Sequence, residues 1–192
     1  MTNTSKWIVG SAGLVLLVLV AAYGASRYLV SRLDGTGGVH SPTQQLERYS
    51  SEDGIMFEYP ATYKLSSRTE GNTERQWDVL VLLPAGYEEV PYTEGPPALS
   101  MSVFQNVEAL SLEAWVRGDA RSNVKLSDGA ITPGSIGGEP ALFYRHTGLY
   151  ETDTAVVAHK GKIFLFEAGW LNQDDAIRSD FQNLLRTVQF TS

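Results

Sequence analysis

The feature that most restricts this chain is a run of twenty residues without a charge, from Trp7 to Ser26. Its centre reads Gly13-Leu14-Val15-Leu16-Leu17-Val18-Leu19-Val20-Ala21-Ala22 and has no polar face. At about 1.5 Å per residue, a helix of that length spans about 30 Å, the thickness of a bilayer's hydrocarbon core. Trp7, Tyr23 and Tyr28 stand where interfacial aromatics sit, and Lys6 and Arg27 bracket the run. The expectation is a tail of residues 1–6 and one transmembrane anchor helix over residues 7–30. Ala22-Tyr23-Gly24 also has the small-residue spacing of a signal-peptide cleavage site, but the run is longer than the usual apolar core of such a peptide. Basic residues flank both ends and give no clear orientation. A short leading anchor commonly exports the domain behind it, so we expect a single-pass protein of a bacterial-type plasma membrane with its domain on the extracytoplasmic side.

Behind the anchor, residues 31–47 carry Asp34-Gly35-Thr36-Gly37-Gly38 and Ser41-Pro42 and no apolar period, which reads as a flexible linker. Residues 48–192 have the composition of a globular domain and are long enough to bury a sizeable core. That part is acidic: twelve Lys or Arg stand against twenty Asp or Glu, a net of −8. Such a charge repels phosphate backbones and anionic headgroups, which excludes nucleic acid as a partner. The chain has no cysteine, so disulfides, thiolate catalysis and Cys-based zinc sites are excluded.

Within the domain, Ile55, Phe57 and Tyr59 alternate on one face of a strand that Pro60 should stop. A second short strand is expected around Tyr63-Lys64-Leu65, and a turn at Gly71-Asn72. Gln76 to Leu83 is nearly continuous in apolarity, which predicts a central strand. Leu99, Met101 and Val103 alternate in another. Ser111 reads as the N-cap of a short helix carrying Leu112, Trp115 and Val116. Trp77 and Trp115 are expected to pack in the core. Val124-Lys125-Leu126 and Ala130-Ile131-Thr132 are ambiguous. A strand follows Gly137-Gly138, from Pro140 to His146. Asp153 to His159, the turn Lys160-Gly161, and Lys162 to Trp170 form a predicted hairpin. Asn172 is the expected cap of a last helix, with Asp174 and Asp175 in its first turn and Ile177, Phe181, Leu184 and Leu185 as its buried stripe. Val188 and Phe190 end the chain in a short strand. Hairpins without alternating strand–helix–strand units imply an α+β fold on a largely antiparallel sheet.

The order of these elements resembles that of PsbP-like domains. Gly54-Ile55-Met56-Phe57-Glu58-Tyr59-Pro60 is similar to the family's G-F-x-F-x-Y-P first strand. Leu112-Glu113-Ala114-Trp115 resembles the family's helix after the central strand. Ile136-Gly137-Gly138-Glu139-Pro140-Ala141 resembles its I-x-G-x-x-A strand opening, and the resemblance runs from about Tyr49 to Thr191. It implies an α/β/α sandwich around the antiparallel sheet and a non-catalytic role. Family members include an extrinsic photosystem subunit, a binder of the small GTPase Ran and a chaperone for secreted effectors. The family has no shared catalytic residue to carry over.

Candidate chemistry is sparse. The three histidines are His40 in the linker, and His146 and His159 on neighbouring strands. With Glu151 or Asp153 the latter two could serve an envelope hydrolase or a metal-dependent enzyme, the alternative reading. No G-x-S-x-G elbow occurs, and Gly134, Gly137 and Gly138 precede no Lys-Ser/Thr pair. Glu52-Asp53, Glu88-Glu89 and Asp174-Asp175 fall in predicted turns or a helix start and read as solvated charge. The surface feature that stands out is the long connection over residues 86–97, in which Tyr87, Glu88, Glu89, Tyr92 and Glu94 stand together with Pro91, Pro96 and Pro97. The expectation is a membrane-tethered binding or assembly module with no cofactor and no catalytic residue. Its partners are the lipid bilayer, through residues 7–30, and a protein of the cell envelope, through this loop.

Overall fold

The structure, a computed structural model, describes residues 45–87 and 95–191. The described residues belong to one compact unit, residues 44–192. The expected anchor over residues 7–30 and most of the linker lie outside the described residues. Among the described residues no helix is long and apolar enough to cross a membrane.

Ten strands and two α-helices are described: β1 Leu46–Ser50, β2 Ile55–Pro60, β3 Tyr63–Gly71, β4 Gln76–Pro84, β5 Leu99–Gln105, α1 Leu112–Gly118, β6 Thr132–Ile136, β7 Glu139–Thr147, β8 Glu151–His159, β9 Lys162–Trp170, α2 Ala176–Thr187 and β10 Gln189–Phe190. Two 3₁₀ turns, Ala120–Ser122 and Val124–Leu126, follow α1. Seven strands form one sheet in the order β3-β4-β5-β9-β8-β7-β6, and β1, β2 and β10 form a second, three-stranded sheet. Every described pairing is antiparallel.

The period of two in each strand sorts the side chains into two layers. On one face Leu80, Leu82, Met101, Phe164 and Phe166 pack with Ile55 and Phe57 of β2 and with Ile177, Phe181, Leu184 and Leu185 of α2. On the other, Phe104, Tyr144, Val156, Ile163 and Leu165 pack with Trp115 and Val116 of α1. One helix thus lies on each face of the larger sheet. The smaller sheet shares the α2 layer.

Several expectations shift. Leu46 and Glu47, expected in the linker, pair with Pro60 and Tyr59, so the fold starts two residues before residue 48. Pro60 does end its strand, as expected, but as a paired, buried last residue; it lacks only an N–H, and its neighbour Leu46 lies on an edge strand. β4 is not central: β9 holds the middle of the sheet, and β4 is one strand from the edge. Its continuous apolarity reflects burial on both faces, with Val79, Val81 and Leu83 pointing away from Leu80 and Leu82. The strand begun at Tyr63 runs on to Gly71, and β6 has no counterpart among the predicted strands. β6 contains Pro133 and Gly134, which only an edge position tolerates, and its first four residues are exposed. Asn172 does not cap α2. Asp175 precedes the helix, and its carboxylate accepts the backbone N–H groups of Leu171 and Asn172, both at 2.8 Å. Those two charge-assisted bonds hold its carboxyl below the usual range.

Candidate functional site

The hairpin connections divide the seven-stranded sheet into two ends with different chemistry. At one end the chain joins the fold. The Gln45 carbonyl accepts the N–H of Ala61 at 2.8 Å, and the Thr62 carbonyl accepts that of Ala85 at 2.6 Å. Here the 86–97 loop leaves β4. Tyr87, its first candidate residue, is 54% exposed and is held near Pro84 by its backbone N–H. Glu88, Glu89, Tyr92 and Glu94 lie outside the described residues. The loop's far side is fixed by Tyr150, whose hydroxyl donates to the Gly95 carbonyl at 2.5 Å. Leu149 and Leu171 are exposed at this same end, in the β7–β8 turn and just beyond β9.

The histidines do not converge. His146 faces the α1 layer of β7 and pairs in register with Thr152 of β8, whereas His159 ends β8 on the α2 side. His159 is seven steps along β8 from Thr152, about 23 Å at about 3.3 Å per residue. Each imidazole is instead closed on its own carboxylate. His146 Nε2 lies 3.2 Å from Glu167 Oε1, and His159 Nδ1 lies 2.9 Å from Glu139 Oε1. His159 also stacks on Phe190, ring centroids 4.5 Å apart. The acids expected to join them are engaged elsewhere. Glu151 accepts from Thr147 at 3.0 Å, and Asp153 holds Arg145 and Arg178 at 2.9 and 2.8 Å. Among the described residues no three His, Asp or Glu side chains come close enough to hold a metal ion. The hydrolase or metal-enzyme reading that joined His146 to His159 fails on this geometry: the pair sits on opposite faces of the sheet.

The opposite end carries a groove of about 930 Å³ that the sequence does not announce. One wall is the β3–β4 turn. Gly71 enters it at φ +109°, where a Cβ would lie 2.0 Å from the Arg75 carbonyl oxygen, so only glycine fits. Asn72 Oδ1 then accepts the N–H groups of Glu74 and Arg75 at 2.9 and 3.0 Å and fixes the turn. The second wall is the β5–α1 loop. Asn106 braces it twice, donating from Nδ2 to the Leu110 carbonyl at 2.9 Å and accepting the Leu110 N–H at 3.0 Å. The brace leaves Val107 86% exposed and Leu110 37% exposed on the rim. The third wall is the end of α1. Asp119 closes the helix through its N–H to the Trp115 carbonyl, and its carboxylate grips both Nε and Nη2 of Arg121.

Arg121 forms part of the floor. Its guanidinium lies over Phe104 and Trp77, 4.4 and 5.2 Å from the ring centroids. The bonds from Arg121 hold the Asp119 carboxyl below the usual carboxylate range, against the opposing effect of burial. Across the mouth Arg75 and Glu108 stand 3.9 Å apart, both too exposed to fix the walls by themselves. The expected core packing holds for Trp115, 3% exposed, while Trp77 is only partly covered. The missing signal is topological, because only the sheet order brings the 71–76 turn beside the 106–110 loop.

No family model matches the chain, and no curated protein matches it. Solved structures do. The solution structure of cyanobacterial PsbP from Synechocystis sp. PCC 6803 superposes with a TM-score of 0.53 at 17% identity, over 80% of this chain and 96% of that one. A crystal structure from Bacteroides thetaiotaomicron matches with a TM-score of 0.46 at 11% identity, over 78% of this chain and 50% of that one. The mostly antiparallel sheet and its two helices therefore have the fold of a PsbP domain.

Proposed function

We propose that this protein is a membrane-tethered, non-catalytic binding or assembly module that engages a protein of the cell envelope through the 86–97 loop. The apolar run from Trp7 to Ser26 serves as the anchor, and the domain stands on the extracytoplasmic side. The observation that carries the reading is the shared end of the sheet. Gln45, where the tether meets the fold, sits beside the Ala61–Thr62 link and the start of the loop at Ala85. A loop rooted there works within reach of the lipid surface, since about fifteen tether residues extend at most about 50 Å. The two histidines on opposite faces, each closed on one acid, also favour contact over catalysis. The fold shared with PsbP points the same way, because the family resembled in sequence offers binding roles rather than common catalytic groups.

The test is in-cell photocrosslinking with the full-length chain. A photoreactive residue at Tyr87 should give a discrete adduct in the membrane fraction, and Tyr92→Ala should remove it. A photoreactive residue at Ser135, on the far β6 edge, should give none. The same adduct from both positions, or none from Tyr87, takes the loop out of the proposal. Recovery of intact full-length protein in the soluble fraction after lysis takes the tether out.

A further inference from the structure

We propose that β3 is the contact edge of a symmetric homodimer, in which two copies of the chain join their seven-stranded sheets antiparallel through this strand, with Ser67 on the two-fold axis. No residue of β3 belongs to the 86–97 loop, so this contact and the loop reading can fail separately.

The two edges of the sheet are unlike. β6, at one edge, has five residues and carries Pro133 and Gly134, which blunt strand pairing. β3, at the other edge, has nine residues and no proline. Its free backbone groups follow from the ladder. The β3–β4 register runs on at both ends: the Ala85 N–H donates to the Thr62 carbonyl at 2.6 Å, and the Asn72 N–H donates to the Arg75 carbonyl at 3.0 Å. Hydrogen-bonded pairs alternate along an antiparallel ladder. The even-numbered residues of β3 therefore bond β4, whereas Tyr63, Leu65, Ser67, Thr69 and Gly71 aim their N–H and C=O groups away from it. Among the described residues no other strand faces those groups. Such a row is a template for one more strand, because backbone donors and acceptors seek partners.

The side chains select a second copy of β3 as that strand. Lys64, Ser66, Arg68 and Glu70 share one face of it, because Lys64 stands opposite Leu83 and Arg68 opposite Val79. Charges on an edge oppose most pairings; here they discriminate between registers. A copy centred on Ser66 sets Lys64 opposite Arg68 twice. One centred on Arg68 sets that arginine opposite itself. One centred on Thr69 matches Arg68 with Glu70 but pairs only Ser67 to Gly71. Centred on Ser67, the midpoint of β3, the whole strand overlaps, and Lys64 of each copy stands opposite Glu70 of the other. That pair falls between hydrogen-bonded pairs, where side chains on antiparallel strands come closest. Lys64 is exposed and, among the described residues, is in no ion pair. Glu70 holds Arg68 at 2.7 Å through Oε1, and a carboxylate has a second oxygen to offer. The strand is thus its own complement, the condition for a two-fold interface.

The chain has no cysteine, so one introduced thiol reports one position. The test uses cells expressing the full-length chain, treated with a short, membrane-permeant bis-maleimide. Ser67→Cys, exposed on β3, should give a covalent dimer, because its copy lies directly across the axis. Thr69→Cys lies about 13 Å along the strand from its own copy in this register and should give about fivefold less. Ser135→Cys, on the β6 edge, should give no more than that. Adding Lys64→Glu to Ser67→Cys sets acid against acid in both pairs and should lower the dimer yield about fivefold. Adding Glu70→Lys as well reverses both pairs and should restore it. The proposal is overturned if Ser67→Cys gives no dimer, if Thr69→Cys or Ser135→Cys gives as much, or if Lys64→Glu leaves the yield unchanged. A yield that stays low in the doubly charge-reversed chain overturns it too.

Discussion

The Tyr144 hydroxyl donates to the backbone carbonyl of Ser122 at 2.5 Å, tying β7 to the turn just after α1. Ser122 is itself fully buried and donates from Oγ to the Val116 carbonyl at 2.6 Å. The pair therefore fixes α1, which covers this face of the sheet, and with it the α1 wall of the groove. Tyr144→Phe leaves the Ser122 carbonyl without its partner in a dry site. We expect a loss of about 1–2 kcal/mol in urea unfolding. The Tyr144 phenol also predicts a pH dependence. Burial, helped by the nearby charge of Glu167, pushes the Tyr144 phenol above its ordinary value. A raised folded-state value means that the folded chain keeps the proton longer than the unfolded one. The contribution is full below about pH 10 and falls as the pH rises beyond it. Burial and the bond to Asp180 act on Tyr63 with the same sign. Melting temperature measured from pH 7 to 11 should thus decline at the alkaline end, less steeply in Tyr144→Phe and least in the variant with both tyrosines replaced. An unchanged alkaline slope in the double variant contradicts this assignment.

The β8–β9 turn places Lys160 at φ +46° and Gly161 at φ +73°, the pair of left-handed residues that a two-residue hairpin of matching twist requires. Gly161→Ala forces a Cβ into that region and should cost about 1–2 kcal/mol. Its Cβ would meet nothing within 4 Å, so the loss is conformational rather than a clash. Lys160→Gly is the matched control. It relieves the one strained non-glycine position in the turn and should change stability less, after loss of the Lys160 bond to the Thr191 carbonyl at 3.2 Å. Chemical denaturation of the two variants in parallel measures the difference. Equal losses would show that this turn does not set the register.

That hairpin is legible in the sequence because its signal is local: two apolar runs around a Lys-Gly turn leave few alternatives. The stripe Ile177, Phe181, Leu184 and Leu185 is legible for the same reason, and so is Ser111, whose Oγ accepts the Ala114 N–H at 3.2 Å. Hidden from the sequence is whatever depends on neighbours distant in the chain. β6 has poor strand composition and exists because β7 offers it an edge. Asp175 wins the start of α2 over Asn172 through two backbone bonds that no spacing rule reveals. His146 and His159 read as adjacent because their strands are, yet their positions put them on opposite faces. The groove is the extreme case. Its walls come from segments about thirty residues apart in the chain. Of the partner loop, only Tyr87 among the five candidate residues is described.

Asp153 joins four elements through charge. It sits on β8, 15% exposed, and holds Arg145 of β7 and Arg178 of α2, while both guanidinium groups stack on Trp170 of β9, 4.9 and 4.3 Å from the ring centroid. Removing the acid leaves two cations against one ring with no counter-charge. Full burial would make that cost severe, but the Arg145 side chain is 42% exposed, so we expect about 2 kcal/mol for Asp153→Ala. Asp153→Asn keeps the shape and should lose roughly half as much. Raising salt should narrow the gap between Asn and the parent, because screening removes the charge component and leaves the hydrogen bonds. A salt-independent gap would assign the loss to packing on Trp170.

Asp119 and Arg121 give the acid side of the profile and link stability to the groove. The bonds from Arg121 depress the Asp119 carboxyl, so the unfolded chain takes up that proton at a higher pH than the folded one. The contribution is fully present above about pH 4 and is lost as the pH falls through the depressed folded-state value. Asp119→Asn should therefore destabilise the parent at pH 7 and converge with it once the pH has fallen below the depressed folded-state value. Arg121→Lys distinguishes the charge from the planar fork. Lysine keeps the positive charge but cannot make the two parallel bonds to Asp119 or lie flat over Phe104 and Trp77. Its melting temperature at pH 7 should fall nearly as far as that of Arg121→Ala. If lysine instead restores most of the stability, a simple charge pair holds this wall, and the stacking of Arg121 on the groove floor contributes little.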